Sequence, residues 1–449
     1  MKGRAAFLTL GCKVNAYETN AMETAFREAG YEIVPFSETA EVYIINTCSV
    51  TNMADRKSRQ MIHRARKKNP TAVIIAAGCY VETAKASGEL DDVADVFVGN
   101  QEKGSVVAIY EEYLEDREKK HTFQLLRDQK EVAYEPLHIE DSGEKTRVFL
   151  KIQDGCSQFC SYCIIPYARG RIRSRRPGEV ISETMRMAEK GFQEVVINGI
   201  HLSSYGMDFS DGVRIEGNEA LLGLLEELDR IEGLCRIRLG SLEPRFITEE
   251  SAERLSKLTK LCPHFHLSLQ SGCDRTLKRM NRHYTTAQYA KGVELLRKYF
   301  DSPAITTDVI VGFPGEDMEE FEETKEFLKE IQFSSMHIFK YSVRKGTRAQ
   351  TMPNQVPEPE KTKRSEQLFE IEQKSRSGYE SALLGKTVEI LVEEKTLVDG
   401  KTYYAGHTTT YVKILIPVEG KSLGLENTFV AVCPEKFMKD GGLIGRLVK

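Results

Sequence analysis

The chain predicts an α/β protein in three parts: a doubly wound parallel sheet, an open (β/α)6 partial barrel, and a small all-β barrel at the carboxyl end. Three observations carry this. Over the first hundred residues, apolar strand-like runs alternate with amphipathic segments. After a polar, acidic stretch near 103–146 the alternation resumes as six strand–helix units, and about 65 final residues hold strands alone.

The frame agrees with length and composition. A chain of 449 residues suggests about three domains, and 41% hydrophobic residues suffice for several cores. A charged fraction of 29% balanced to a net −4 leaves a nucleic-acid partner open, so any basic surface must be local. Ten cysteines behind Met1-Lys2-Gly3-Arg4, which leads straight into a strand, do not resemble a secreted disulfide framework. No apolar stretch approaches a membrane span. The expectation is a cytoplasmic protein, off the membrane and monomeric, whose cysteines are thiols or metal ligands.

In the first part, strands fall at 5–10, 42–46 and 73–77, with helices at 16–29 and 54–68 between them. Each strand ends on a cysteine: Cys12 after Leu10-Gly11, Cys48 after Asn46-Thr47, Cys79 after Ala77-Gly78. Carboxyl ends of parallel strands share one edge, so cysteines far apart in sequence converge there. A single such cysteine would be read as a small buried hydrophobe, but three at equivalent positions point to an iron–sulfur site. The helix after Cys48 carries Arg56, Arg59, His63 and Arg66 or Lys67 on one face, either a solvated surface or a phosphate contact.

The second part opens on the strand 148–152 and then Cys156, Cys160 and Cys163, three thiols within eight residues. An electron-carrying 4Fe-4S cluster takes four thiolates. Three leave one iron open to an exogenous molecule. A zinc knot is the competing reading, but no second ligand pair lies nearby. Further strands fall at 194–198, 236–240, 266–269, 305–311 and 336–339, with helices at 177–190, 221–231 and 318–331. Active residues of such barrels sit at the carboxyl ends of strands. The candidates there are Gly199, Ser241, Glu243, Gln270, Gly312 and Gly315, each either a ligand contact or a plain turn residue or helix cap, with His201 a weaker candidate as a metal ligand.

Directly past Cys163, Arg169, Arg171, Arg173, Arg175 and Arg176 crowd into eight residues. Arginine forks suit phosphates, so an RNA backbone reaching the site is the sharper reading and a structural network the blander one. Cys235, Cys262, Cys273 and Cys433 lack ligand-like spacing. A polar helix near 360–384 leads to strands at 387–392, 411–416, 428–432 and 443–448, a barrel of oligonucleotide-binding size or else a capping module.

The C-x-x-x-C-x-x-C run resembles that of the radical S-adenosylmethionine superfamily, and the whole chain resembles its methylthiotransferases. Thr9-Leu10-Gly11-Cys12-Lys13-Val14-Asn15, Asn46-Thr47-Cys48-Ser49-Val50-Thr51 and Cys163-Ile164-Ile165-Pro166-Tyr167-Ala168-Arg169-Gly170 are similar to the branch modifying threonylcarbamoyladenosine in tRNA. The sister branches on isopentenyladenosine and on a ribosomal-protein aspartate carry other residues after the first cysteine than Lys13-Val14. Asn198-Gly199-Ile200-His201 stands where other radical enzymes have Gly-Gly-Glu.

The resemblance implies a methylthiotransferase domain over 1–115, a linker over 116–141, a radical barrel over 142–375 and an RNA-binding TRAM barrel over 376–449. It further implies S-adenosylmethionine and two 4Fe-4S clusters. Cys156, Cys160 and Cys163 would hold the radical cluster, and Cys12, Cys48 and Cys79 an auxiliary one carrying the transferred sulfur. The implied partners are the anticodon stem-loop of tRNA, modified at position 37, and a one-electron reductant such as flavodoxin or ferredoxin. Competing classes are a plain iron–sulfur carrier and a zinc RNA-binding protein without catalysis.

Overall fold

The computed structural model describes residues 2–90, 92–118, 121–129, 132–140, 146–209, 218–418, 424–439 and 441–448. The expected boundary at 141/142 lies outside them.

Five parallel strands form the amino-terminal sheet: β1 (Arg4–Thr9), β2 (Glu32–Val34), β3 (Val42–Thr47), β4 (Val73–Gly78) and β5 (Val96–Val98), in the order β2-β1-β3-β4-β5. Helices α1 (Lys13–Glu28), α2 (Asn52–Lys68), α3 (Cys79–Ser87) and α4 (Val106–Glu115) cover it. Every residue of β3 and β4 is buried, which is why these strands read as unbroken apolar runs. Thr51 caps α2, its side chain accepting from Ala54 N at 3.1 Å.

The second sheet begins with β6 (Arg147–Asp154), flanked by the two-residue antiparallel β7 (Arg173–Ser174), and continues through β8 (Glu194–Gly199) and β9 (Arg236–Leu239). Isolated bridges Ile237↔Leu261 and Leu242↔Leu267 hand it on to β10 (His264–His266), β11 (Ala304–Val311) and β12 (Ser335–Lys340). These are six parallel strands with one added edge, and among the described residues nothing pairs β12 with β7. The barrel is open on that flank. Its apolar core extends beyond its own strands, taking in Tyr17 and Ala21 of α1 and Leu137 and Ile139 of the linking segment.

The carboxyl-terminal strands β13 (Val388–Val398), β14 (Lys401–Thr408), β15 (Lys413–Pro417), β16 (Phe429–Phe437) and β17 (Leu443–Leu447) close into a barrel in the order β13-β14-β15-β17-β16. The sequence pattern gave four of the five. β14 was missed although Asp399-Gly400, both at positive φ, marks a two-residue hairpin turn. This barrel seats on the starts of β6, β8, β9 and β10. Arg147 pairs with Glu393 and donates to Tyr411 Oη at 2.9 Å; Arg236 reaches Glu389 at 3.0 Å; Arg238 donates to the Thr409 carbonyl at 2.9 Å. Glu194, 3.0 Å from Arg238, sits beneath them.

Breaking a buried pair leaves an uncompensated charge, so Arg238→Ala is expected to cost about 3–5 kcal/mol. Urea unfolding checks the loss, and early protease cleavage between the two barrels checks its location.

Candidate functional site

β1, β3 and β4 are neighbours, with Thr9 opposite Asn46 and Thr47 opposite Gly78. That register brings Cys12, Cys48 and Cys79 to one edge, on strands ~4.8 Å apart. Gly11 is at φ +97°, and a Cβ there would lie 2.8 Å from the Cys48 sulfur, so only glycine permits this approach. Asn15 ties the two loops, donating to the carbonyls of Leu10 at 2.7 Å and Thr47 at 2.9 Å.

The other cysteine loop leaves β6 at Gly155, at φ +69°, where a Cβ would collide with the Arg171 carbonyl. Cys156 N donates to the Gly170 carbonyl at 3.0 Å and Cys163 N to the Cys160 carbonyl at 2.9 Å, folding the run into a tight hook. Arg282 locks it: one nitrogen donates to Cys160 Sγ at 3.3 Å, another to the Ser268 carbonyl at 3.3 Å, and the guanidinium lies 4.8 Å from the Tyr284 ring. Arg282 stands alone in a helix-to-loop junction and carried no sequence signal.

A short helix, α5 (Ile165–Arg169), starts two residues after Cys163. Its five residues span ~7.5 Å and end at the other cysteine set. Arg169, wholly buried, donates from Nε to Cys79 Sγ at 3.2 Å and from Nη2 to Asn15 at 2.7 Å. It also reaches Glu18 at 2.8 Å and Asp154 at 3.0 Å. Lys151 bridges the same two carboxylates at 2.8 and 2.6 Å, Lys103 pairs with Glu18, and Arg173 lies 3.5 Å from Asp154. Burial alone would raise the Glu18 pKa, but Arg169, Lys103 and Lys151 outweigh it and hold the carboxylate well below its usual range.

The reading of the arginine run as an RNA contact is corrected here. Arg169 and Arg173 are consumed by the buried network; Arg175 is buried against Glu183 and donates to Tyr17 Oη at 3.2 Å. Of the five arginines of the run, Arg171 and Arg176 stay exposed, their guanidiniums 4.7 and 4.8 Å from the Phe159 and Phe209 rings. Arg56 and Arg59 on α2 are exposed, whereas Arg66 turns back to the Ala72 carbonyl at 2.7 Å and to Asp95.

The remaining candidates lie along one rim. Gly199 closes β8, where a Cβ would press on Gln153. Ser241 is exposed. Glu243 sits 3.4 Å from His201 and accepts two hydrogen bonds from Arg245, at 2.8 and 3.0 Å. Burial raises its pKa less than His201 and Arg245 lower it, so it stays a carboxylate. Gln270, at φ +72°, kinks the chain above β10, donating from its N to the Asp308 carbonyl at 2.8 Å. Gly312 and Gly315 belong to a turn closed by Glu316 and Arg364, 2.6 Å apart. On the far side Arg344, unflagged by the sequence, joins the loop after β12 to the loop after β3, reaching Ser49 at 2.9 Å and Asp55 at 2.7 Å.

Each set offers three soft thiolates, the donor chemistry of an iron–sulfur cluster one ligand short. Four buried cations face two carboxylates beside Cys79, a positive excess suited to an anionic thiolate-bound group. One zinc ion would draw its thiolates ~3.8 Å apart. The one trio of ligating His, Cys, Asp or Glu atoms within 4.8 Å of one another among the described residues is His266, Asp308 and His337, not a cysteine set. All ten cysteines are free; Cys262 and Cys273 are buried.

An open β/α barrel with a three-cysteine hook defines a radical S-adenosylmethionine protein, and residues 150–328 match the family described as the Radical SAM superfamily. Residues 4–99 match one described as uncharacterized protein family UPF0004. The chain is 41% identical over 438 residues to the threonylcarbamoyladenosine tRNA methylthiotransferase of Bacillus subtilis, covering 97% of this chain and 94% of the relative. It is 35% identical over 449 residues to the enzyme of the same name from Chlamydia pneumoniae, covering 100% and 99%. A Moorella thermoacetica relative, tRNA-2-methylthio-N(6)-dimethylallyladenosine synthase, is 35% identical over 429 residues, with 93% of each chain covered. The chain belongs to the family of radical S-adenosylmethionine methylthiotransferases. In fold it is similar to the radical methyltransferase TsrM of Kitasatospora setae, with a TM-score of 0.54 at 15% identity, over 76% of this chain and 75% of that one.

Arg169→Leu strands Glu18 and Asp154 in the interior, with an expected loss of about 3–5 kcal/mol. Faster alkylation of Cys79 in the anaerobic apo-protein is the local readout. Burial, with the neighbouring cysteines adding to it, pushes the Cys48 and Cys156 thiols up to about 11 and Cys163 up to about 12, against 9.0 for an ordinary thiol. Raised values favour the protonated fold, so this contribution is whole below pH 9.0 and is lost as pH climbs toward about 12. Apo-protein unfolding free energy should fall across that window, and less steeply in Cys163→Ala.

Proposed function

We propose that this chain is a tRNA-modifying enzyme that converts N6-threonylcarbamoyladenosine to its 2-methylthio derivative. The observation that carries the reading is the pair of three-cysteine sets joined through Arg169. Each is one thiolate short of a closed cluster, as a reaction holding two exogenous groups requires. The near full-length identity to relatives bearing that activity in their names supports the substrate.

In this reading Cys156, Cys160 and Cys163 hold one 4Fe-4S cluster, and Cys12, Cys48 and Cys79 the other. When bound, these clusters and S-adenosylmethionine supply a radical for hydrogen removal and a methylated sulfur for insertion. Arg282 keeps the Cys160 sulfur fixed, and the Arg169 and Asn100 donors, at 3.2 and 3.6 Å, steady Cys79. Gly199, Ser241, Glu243, Gln270, Gly312 and Gly315 rim the S-adenosylmethionine site, with Glu243 kept ionised for an ammonium group.

Arg56, Arg59 and Arg171 are the exposed cations assigned to the RNA backbone, and the carboxyl-terminal barrel is a second RNA surface. A one-electron reductant such as flavodoxin or ferredoxin serves the cluster of the hook. Both cysteine sets come from one chain, which supports a working monomer, and a tRNA substrate puts its work in the cytoplasm. No described helix is long and apolar enough to cross a membrane.

The test is mass spectrometry of tRNA nucleosides from cells lacking the protein, then complemented with it or with Cys48→Ala. The 2-methylthio nucleoside should vanish, return with the intact protein, and stay absent with the variant while the unthiolated nucleoside accumulates. Loss of 2-methylthio-isopentenyladenosine instead would assign the sister substrate.

A further inference from the structure

Along β10, β11 and β12 the side chains alternate between a buried rear face and the open lumen. Phe265, Leu267, Val309, Met336 and Ile338 are buried, while His266, Asp308, His337 and Phe339 stay part-exposed or exposed. The register sets Asp308 opposite His337 and, two residues nearer the strand starts, His266 opposite Thr306, so the trio spans two successive levels of the lumen. His266 is held at both ring nitrogens, 3.0 Å from Thr306 Oγ1 and 3.2 Å from Asp308 Oδ2, and its ring centroid lies 6.0 Å from that of His337. Nothing in the cysteine chemistry uses this trio.

Its place relative to the cysteines is fixed. Ser268, two residues or ~7 Å further along the strand, presents the carbonyl to which Arg282 donates. The same guanidinium donates to Cys160. On β12, Phe339 lies two residues past His337 toward the same rim, with 48% of its surface exposed. From the rim inward, the open lumen therefore presents an apolar ring and then a cluster of donors and acceptors.

We propose that His266, Asp308 and His337 form the pocket for the threonylcarbamoyl arm of the substrate, with Phe339 under its base. This rests on the substrate reading above and adds the residues that select it. A threonylcarbamoyl group carries a carboxylate, a hydroxyl and amide N–H groups. The exposed His337 imidazole matches the carboxylate, and Asp308, held in place by His266, accepts from the hydroxyl or an N–H. An isopentenyl arm would leave His337 and the second carboxylate oxygen of Asp308 desolvated without a substrate partner, which is how a polar pocket rejects an apolar analogue. The open flank beside β12 gives the arm its way in.

The test is anaerobic binding of the holoenzyme, with S-adenosylmethionine present, to one anticodon stem-loop bearing threonylcarbamoyladenosine, isopentenyladenosine or plain adenosine. Wild type should prefer the threonylcarbamoyl RNA by at least about tenfold. His337→Leu and Asp308→Asn should each cut that preference to about twofold or less, leave plain-RNA affinity unchanged, and in His337→Leu improve isopentenyl binding. The plain-RNA affinity reports whether each variant is folded, and His337, being exposed, tolerates replacement. An unchanged preference in both variants overturns the pocket, as does equal weakening toward all three RNAs. One divalent metal per chain beyond the cluster iron, lost in His337→Leu, overturns it in favour of a metal site. If wild type shows no preference while the nucleoside assay still reports 2-methylthio-threonylcarbamoyladenosine, the pocket is wrong and the substrate reading stands. If that assay reports no such product, the substrate reading falls and the pocket with it.

Discussion

The ion cluster around Arg169 is the constraint on which the two cysteine sites depend. Burying ions costs several kcal/mol apiece, and such a cluster persists only when every member is answered. Here Glu18 comes from the first helix, Lys103 from beyond the first sheet, Lys151 and Asp154 from the first barrel strand, and Arg169 from the helix after the cysteine hook. The cations outnumber the carboxylates, and the guanidinium at the centre turns its remaining donor to Cys79. One side chain thus sets the position of a sulfur in one site from the chain that forms the other. Geometry between the sites is fixed by charge in a dry interior, where small displacements are penalised most.

Much of this was legible from residues in order. The strands that became β3, β4 and β8 stood out because parallel strands buried on both faces read as apolar runs, and β1, β6, β9, β11 and β12 because apolar residues run or alternate along them. The convergence of Cys12, Cys48 and Cys79 followed from topology alone. The arginine run was misread for a physical reason: composition shows charge but not burial, and a cation-rich segment beside a site has the same sequence whether it meets phosphate or Glu18 and Glu183. β2 and β5 escaped because three residues show no period. Arg282 and Arg344 escaped because each is a lone residue whose contact with the site, to Cys160 and to Ser49, spans more than a hundred residues.

The carboxyl-terminal barrel docks on the starts of the barrel strands, the rim opposite the cysteine loops. Tyr411 sits in that seam between the guanidiniums of Arg147 and Arg238, 5.1 and 4.6 Å from its ring, and stacks on His407 at 4.6 Å. Cations against aromatic faces hold well when desolvated. The seam is a fixed joint, and the lumen between the two rims is left for the modified base.

The sharing of buried charge between segments bears on how such proteins change over generations. A recombinant that takes its first hundred residues from one relative and its barrel from another inherits Glu18 and Lys103 from one parent and Asp154 and Arg169 from the other. Unless both parents keep the same set, the offspring carries an orphaned charge at its centre. Substrate preference can drift through the exposed lumen of β11 and β12 at little structural cost, while the interior joining the two cysteine sites must be inherited whole.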